Sequence, residues 1–169
     1  LLSAALLLTL LPAVALAEET ACQYVDENGV LKDATATIIE GAGAGETLST
    51  GWYIVQDTGV TRSSVITISG DVSLILADGA SITVEGDDDY AGINVPDGNS
   101  LTIYGQTYGT GELIAIGGTG GAGIGGNLGQ DSGTVNIYGG TVQATGGEGG
   151  AGIGGGCRQA DDGGNGSTI

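Results

Sequence analysis

Ala122-Gly123-Ile124-Gly125-Gly126 returns as Ala151-Gly152-Ile153-Gly154-Gly155, and a shorter copy, Ala91-Gly92-Ile93, comes before both. The copies begin at 91, 122 and 151, so they lie 31 and 29 residues apart. A period near 30 residues is typical of stacked repeat proteins, in which each repeat buries the apolar face of its neighbour. The sequence therefore predicts a repeat architecture built around this phrase.

Short runs of alternating apolar and small polar residues fill the chain from Trp52 onward, and glycine-containing turns separate them. Alternation with a period of two is typical of a β-strand with one buried face. No segment beyond residue 17 shows the i, i+3, i+4 apolar spacing of a helix, and the 36 glycines are too many for helices. The chain is therefore predicted to be all-β.

Three of these strands fit in each turn of the repeat, and the turns align with one another. The aligned apolar positions are Val72, Ile82 and Ile93, then Leu101, Leu113 and Ile124, then Val135, Val142 and Ile153. The predicted fold is a right-handed parallel β-helix with about three strands per turn of about 30 residues, incomplete at the C-terminus. A β-sandwich is the alternative, but a sandwich does not require a phrase repeated in register.

The alternation also assigns side chains to the inside and the outside of the stack. The inward set is apolar and contains Val72, Leu74, Leu101, Ile103, Val135 and Ile137, together with the Ala and Ile of each phrase. The outward set contains Ser73, Thr102, Tyr104, Asn136 and Tyr138. Glycines between strands are predicted to supply positive φ at sharp corners. Trp52 and Tyr53 are predicted to cover the first turn as a cap.

Residues 1–17 are interpreted as the remainder of a secretory signal peptide. An apolar run is followed by Ala15 and Ala17, the small residues that precede a cleavage site. The run is too short to cross a bilayer, so we expect a secreted protein with no transmembrane segment in its mature part. Residues 18–50 are predicted to be an irregular leader in which Ala34–Ile39 is a candidate short strand, and residues 51–169 the β-helix repeats. The chain is expected to be a fragment of a longer protein.

The chain is strongly acidic, with 20 Asp and Glu against 3 Lys and Arg and a formal net charge of −17. Such a charge repels phosphate backbones, so nucleic acid is excluded as a partner. Histidine is absent from the sequence, which removes the commonest general base and metal ligand. Cys22 and Cys157 lie near opposite ends of the predicted stack, and we expect no disulfide between them because a bridge needs Cα atoms within about 7 Å.

Several segments resemble a known protein family: Trp52-Tyr53-Ile54-Val55, Gly70-Asp71-Val72-Ser73-Leu74-Ile75-Leu76-Ala77-Asp78-Gly79, Leu101-Thr102-Ile103-Tyr104-Gly105-Gln106, and the Ala-Gly-Ile-Gly-Gly phrases. The chain is similar there to Gly-rich right-handed β-helix surface proteins of anaerobic, gut-type Firmicutes, a carbohydrate-binding-domain-like repeat family. The resemblance covers about residues 52–169. It implies a bacterial cell-surface location, with wall-anchoring or adhesion modules elsewhere, and it brings no catalytic motif.

The densest acidic cluster is Asp87, Asp88 and Asp89, at a predicted corner before Tyr90. Carboxylates are ligands that Ca²⁺ prefers, so these residues are candidates for a weak Ca²⁺ site, and Ca²⁺ is the one candidate cofactor. Glycoside hydrolysis needs two carboxylates at a set separation across the scissile bond, whereas three consecutive Asp at a corner point in different directions. We therefore predict no catalytic residues. A solvated corner is the alternative explanation of the cluster.

A column of outward aromatic residues, Tyr104 and Tyr138, is the candidate binding site. Thr102, Asn136 and Gln106 flank it and add hydrogen-bond partners to the flat apolar rings. This combination suits sugar rings, so these five residues are predicted to bind a glycan. The alternative is that outward aromatics favour strands and stack across them without binding a ligand.

These observations together predict a non-enzymatic secreted or cell-surface protein for adhesion or glycan binding. Its expected partner is a polysaccharide or a host or cell-wall surface. One alternative is a polysaccharide lyase or hydrolase of β-helix type whose active site lies outside this fragment. Another is a structural spacer that lifts a further domain off the cell wall.

Overall fold

The computed structural model of the protein describes residues 17–41 and 45–157. Except for Ala17, the predicted signal peptide lies outside these residues. All regular structure in the described ranges is β, which confirms the all-β prediction, and they contain no helix of the length and apolarity that a membrane span requires. The strands are β1 (Glu19–Val25), β2 (Leu31–Ile38), β3 (Glu46–Val55), β4 (Val60–Arg62), β5 (Ile66–Leu76), β6 (Ser81–Glu85), β7 (Ile93–Asn94), β8 (Ser100–Gly105), β9 (Glu112–Ile116), β10 (Ile124–Gly125), β11 (Thr134–Ile137), β12 (Thr141–Thr145) and β13 (Ile153–Gly154).

Parallel pairing arranges most strands in three ladders, here named I, II and III. Ladder I consists of residues 51–55 of β3, residues 72–76 of β5, and then β8 and β11. Ladder II consists of β4, β6, β9 and β12. Ladder III consists of residues 46–49 of β3, residues 66–69 of β5, and then β7, β10 and β13. Because β3 and β5 each run from ladder III into ladder I, these two ladders share one sheet, and ladder II forms another.

The register within the ladders matches the alignment predicted from the repeats. The paired positions are Val72, Leu101 and Val135 in ladder I, Ile82, Leu113 and Val142 in ladder II, and Ile93, Ile124 and Ile153 in ladder III. The predicted alignment of these apolar positions is therefore confirmed. Eight positions separate Ile93 from Leu101, but eleven separate Ile124 from Val135. The extra residues lie in the corner segment 126–133, between β10 and β11.

The inward side chains form an apolar core, as the alternation predicted. The residues that are at most 3% exposed include Val72, Leu74, Leu101, Ile103 and Val135, and the Ala and Ile of the phrases at 91 and 122. Ile137 and Ile153, in the last described strands, are only partly buried. An apolar cavity inside the core measures about 10 Å³. That is about one water-sized probe sphere, so this cavity is too small for a larger ligand.

A buried arginine lies at the first strand of ladder II. Arg62 is 7% exposed and pairs in register with Val84, so its side chain takes an inward position. Its guanidinium is 3.2 Å from the Glu46 carboxylate and donates a hydrogen bond to the Glu40 carbonyl. Because a buried charge needs a partner, these two contacts make an arginine tolerable where the following turns place apolar residues.

The glycines of the repeated phrase have two different functions. A Cβ on Gly123 would lie 2.7 Å from the carbonyl oxygen of Gly152 in the next turn, so this position is restricted to glycine by close contact between turns. Gly125 and Gly154 have φ of 138° and 144°, where an L side chain is strained. The predicted corner function therefore applies to the second glycine of the phrase, whereas the first serves backbone packing.

The leader was predicted to be irregular apart from a candidate strand at Ala34–Ile39, whereas most of it is strand, so the irregular assignment was wrong. β1 and β2 form an antiparallel hairpin in which Glu19 pairs with Thr37 and Val25 with Leu31. Ile38, at the end of β2, continues into ladder I by pairing with Ile54. The hairpin buries small residues such as Ala36, so its two strands carry little of the hydrophobic alternation on which the prediction relied.

Candidate functional site

The hairpin of β1 and β2 lies against the outer face of ladder I. Ile54 and Ile75 point away from the main core, yet they are 2% and 0% exposed, and with Ala36 they form a second apolar cluster. The side-chain amide of Gln106 donates a hydrogen bond of 2.9 Å to the Gln23 carbonyl, which ties β1 to the end of β8. The outside of ladder I is thus a packed layer over most of its height.

Four aromatic rings form a continuous cluster on this outer face. Tyr24 of the hairpin lies 4.6 Å from Trp52 and 4.8 Å from Tyr104, measured between ring centroids. Trp52 stacks on Tyr104 at 5.4 Å, and Tyr138 lies 5.6 Å from Tyr104. Trp52 therefore lies on the outer face of ladder I, so its predicted place in a cap over the first turn was wrong, whereas Tyr53 is partly buried against the main core.

The environment of the cluster favours neutral phenols. Burial raises the pKa of Tyr104 above its ordinary value, and nearby Tyr24 and Glu27 add to the shift. Burial also raises the pKa of Tyr24, with smaller contributions from the carboxylates of Asp26 and Glu27. At neutral pH both rings are uncharged hydrogen-bonding aromatics. The cluster offers apolar faces and hydroxyl groups, with no general base poised at its centre.

The predicted glycan-binding residues fall into an accessible group and a covered one. Tyr138 is 46% exposed, and its neighbour Asn136 donates a hydrogen bond of 3.3 Å to the hydroxyl of Thr102. These three residues are neighbours: Thr102 lies on β8, Asn136 lies on β11, and Tyr138 directly follows β11. Tyr104 is partly covered by Tyr24 and contributes as the support beneath Tyr138. Both polar atoms of the Gln106 side chain already have partners. Its amide nitrogen donates to the Gln23 carbonyl of the hairpin, and its amide oxygen accepts a hydrogen bond from the Asp78 amide.

A polar groove that sequence reasoning missed begins at the start of the same strands. It measures about 380 Å³ and is lined by Asp71, Asp97, Gly98, Asn99, Ser100, Ser132, Gly133 and Thr134. The Ser100 hydroxyl donates a hydrogen bond of 2.6 Å to the Asp71 carboxylate. The corner segment 126–133 forms one side of the groove and is bridged to the preceding corner by the pair Pro96 and Ser132. This corner is three residues longer than the preceding one, and that extra length was the signal in the sequence that could have indicated the groove.

The predicted Ca²⁺ ligands Asp87, Asp88 and Asp89 all lie exposed at the corner between ladders II and III. The Asp87 carbonyl accepts a hydrogen bond from the Tyr90 amide, which closes a tight turn. Asp89 has a φ of 71°, and the equivalent position of the next repeat is Gly120, which also has a positive φ. In the described ranges, no group of three or more Cys, Asp or Glu side chains is close enough to hold a metal ion. The Ca²⁺ assignment of this corner stays a prediction.

The two cysteines lie in different parts of the structure, Cys22 on β1 and Cys157 after β13. Cys22 belongs to the hairpin, where its thiol donates to the Ala34 carbonyl at 3.7 Å and burial raises its pKa. Cys22 and Cys157 are not bonded to each other.

No protein-family model, curated protein or solved structure matches this chain.

Proposed function

We propose that the protein is a secreted or cell-surface right-handed parallel β-helix that binds glycans without acting on them enzymatically. Three ladders of parallel strands, repeated at a period near 30 residues, support the β-helix. Right-handed crossovers between parallel strands are strongly preferred, which supports the hand. The surface location rests on the predicted signal peptide and on the resemblance to the Gly-rich surface proteins.

The proposal of glycan binding rests on one observation, the outward row of β11 and its end. Thr134, Asn136 and Tyr138 follow one another at every second residue, about 7 Å apart along the strand. Tyr138 presents an exposed ring that Tyr104 supports from the neighbouring turn, while Asn136 and Thr134 supply hydrogen-bonding groups beside it. An apolar plate next to donors and acceptors matches a sugar ring, which has an apolar face and a rim of hydroxyls.

The groove at the start of the row indicates which glycans fit. Asp71 and Asp97 line it, and the whole chain has a formal net charge of −17. Carboxylates repel uronate or sulfate groups at close range, whereas they accept hydrogen bonds from neutral hydroxyls and attract ammonium groups. We therefore expect neutral or amino-sugar polysaccharides rather than acidic ones such as pectin. The same repulsion makes a pectin-cleaving enzyme the weaker alternative.

A glycan array with quantitative follow-up tests this proposal. The chain is expected to be retained on neutral or amino-sugar polysaccharides, and its one tryptophan, Trp52, should change fluorescence on binding because its ring belongs to the same aromatic cluster. Tyr138→Ala should weaken binding by about tenfold, equivalent to about 1.4 kcal/mol. Tyr108→Ala is the matched control, because Tyr108 is 81% exposed at a different corner and lies outside the row.

Three results would contradict the proposal. One is the absence of retention on every neutral or amino-sugar glycan. Another is an equal loss of binding in the Tyr138 and Tyr108 variants, which would show non-specific aromatic adhesion. The third is release of new reducing ends or unsaturated products from a bound polysaccharide, because turnover would replace the non-enzymatic function with a catalytic one.

A further inference from the structure

The two ends of the stack differ in how they are closed. The last described turn consists of β11, β12 and β13, and within residues 17–41 and 45–157 each of these strands pairs with a neighbouring strand on one side only. Their inward residues Val142, Ala144 and Ile153 are only partly buried. The residues that precede these three in the same ladders are all 0% exposed: Leu113, Ala115 and Ile124. The core therefore reaches the surface at this end of the stack, which we name the open end.

The strands of the open end lack the residues that usually protect sheet edges from pairing. Natural proteins protect edge strands with charged side chains, above all lysine, with proline, or with charges that point inward. β11, β12 and β13 contain neither a charged residue nor proline. Glu148 is the one charged residue in the stretch 134–157, in a chain with 20 acidic and 3 basic residues. Because the whole chain has a net charge of −17, the open end is where charge repels a second copy least.

The opposite end of the stack is closed by the buried Arg62. One inward column of ladder II consists, from the first turn to the last, of Arg62, Val84, Ala115 and Ala144. The guanidinium of Arg62 contacts the Glu46 carboxylate in ladder III and the Glu40 carbonyl after β2, so a charged group lies across this end of the core. The Glu46 side chain is 40% exposed, and an added turn would remove that water from the ion pair without supplying a new partner. An inward charge therefore protects the first end against strand addition.

We propose that the open end binds a second copy of this chain and forms a two-fold symmetric dimer in which the two open ends face each other. Head-to-tail association would require the open end to meet the Arg62 end, and repetition of that contact would give a filament. Because the Arg62 end is closed, the symmetric contact is the one that remains. Across a two-fold axis at right angles to β12, the two copies of this strand run antiparallel and can share backbone hydrogen bonds. Val142 and Ala144 of each copy then cover the core of the other.

The dimer would also bring two glycan-binding rows close together. Tyr138 directly follows β11 in the last described turn, so each copy carries its row beside the open end. Two connected sites bind a repetitive polysaccharide more tightly than one, because the second contact forms at a high effective concentration. This consequence rests on the proposed function, whereas the dimer itself does not. Self-association measured without glycan therefore tests the dimer independently of glycan binding.

Sedimentation velocity of the full chain over a range of concentrations, in the absence of glycan, tests the proposal. We expect a concentration-dependent shift to twice the mass of one chain. Ala144→Arg places an arginine at the open end in the same column as Arg62, and it should weaken dimerisation by at least tenfold. Gln143→Arg is the matched control, because it adds the same side chain to the next residue of β12, which points outward, and it should change dimerisation less than threefold. Arg62→Val combined with Glu46→Gln should reopen the first end and give species larger than a dimer.

Two results would overturn the proposal. One is a chain that stays a monomer at every concentration, and protected β12 amides in that monomer would show that residues of the same chain after Cys157 cover the open end. The other is equal dimerisation of Ala144→Arg and the unmodified chain, which would place the contact on another surface. Circular dichroism establishes that each variant is folded before the comparison. A monomeric Ala144→Arg beside a dimeric Gln143→Arg supports the proposal even if the Arg62 variant does not fold.

Discussion

Ladder I and ladder II share one core but differ in what covers their outer faces. Ile75 on ladder I and Ile116 on ladder II are both isoleucines that point outward. Ile75 is completely buried beneath the hairpin, whereas Ile116 is 36% exposed. The outward neighbours of Ile116 in register are Glu85 and Thr145, while those of Ile75 are Ile54 and Tyr104.

The difference shows that strand alternation identifies the inward side chains but does not identify every buried side chain. Inward columns are apolar in both ladders because they face the one core that the ladders share. Outward columns become a second core only where another segment lies on them, and here that segment is the hairpin of β1 and β2. Tyr138 lies at the exposed end of the aromatic cluster. Its ring is therefore accessible although the rest of the outer face of ladder I is covered.

Truncating the two outward isoleucines is expected to give the largest effect. Ile75→Ala should cost about 2–4 kcal/mol of unfolding free energy, because it removes buried methyl groups and leaves a cavity beneath the hairpin. Ile116→Ala, at a partly exposed position, should cost less than about 1 kcal/mol. Urea denaturation followed by Trp52 fluorescence measures both, as a shift in midpoint with an unchanged slope.

Equal costs for the two isoleucine variants would contradict the comparison. A small cost for Ile75→Ala would mean that the hairpin leaves the ladder in solution. A large cost for Ile116→Ala would mean that another surface covers ladder II. The apolar probe ANS distinguishes these outcomes, because an undocked hairpin exposes Ile54 and Ile75 together.

Alkaline pH should weaken the packing of the hairpin on the outer face of ladder I before it affects the rest of the molecule. The folded pKa values of Tyr24 and Tyr104 are raised, so the neutral phenols contribute stability that is fully present below the ordinary tyrosine pKa of about 10. That stability is lost as the pH rises from about 10 through the raised folded values, because the unfolded chain releases its protons first. Tyr24→Phe combined with Tyr104→Phe should flatten this part of the stability curve.

Tyrosinate absorbance and Trp52 fluorescence, recorded from pH 8 to 12, measure the alkaline transition. Tyr108→Phe is the control, because Tyr108 is 81% exposed and outside the cluster. An alkaline transition that stays unchanged in the double Phe variant but disappears in the Tyr108 variant would contradict the prediction, because the titrating tyrosine would then lie outside the aromatic cluster.

The repeat phrases predicted the register of the three ladders correctly because each ladder repeats the same physical requirement. An inward position must be apolar in every turn, and Gly123 must be glycine because the Gly152 carbonyl lies 2.7 Å from where its Cβ would be. Such constraints recur at a fixed period, so the sequence displays them several times. Tyr138 and Asn136 were also predictable as outward residues, since the alternation of β11 assigns their direction.

The hairpin and the polar groove beside Ser132 were not predictable in this way because each occurs once. Ala34 and Ala36 of β2 are short side chains that fit under a close strand, and they give a weak hydrophobic signal. The use of Gln106 to hold β1 depends on a contact with Gln23, 83 positions earlier in the chain, which no local pattern reveals.

The smallest predicted effect concerns the glutamines that lie beside each outer face. Gln106 bonds to the Gln23 carbonyl at 2.9 Å and to the Asp78 amide at 3.0 Å, and it is half-buried. Gln143 on ladder II donates a solvent-exposed hydrogen bond of 2.8 Å to the Glu112 carboxylate. Gln106→Ala should cost about 1 kcal/mol, because two backbone groups lose their partner. Gln143→Ala should cost at most about 0.5 kcal/mol, since water replaces an exposed contact.

Amide hydrogen exchange separates this local effect from a global one. In Gln106→Ala the amides of β1 should exchange faster while those of β8 keep their protection, because the hairpin opens without the stack unfolding. Gln143→Ala should leave both strands unchanged. Uniformly faster exchange in Gln106→Ala would contradict this prediction, because it would mean that the hairpin and the stack unfold together. The covered face would then be part of the fold's cooperative core and not a layer added to it.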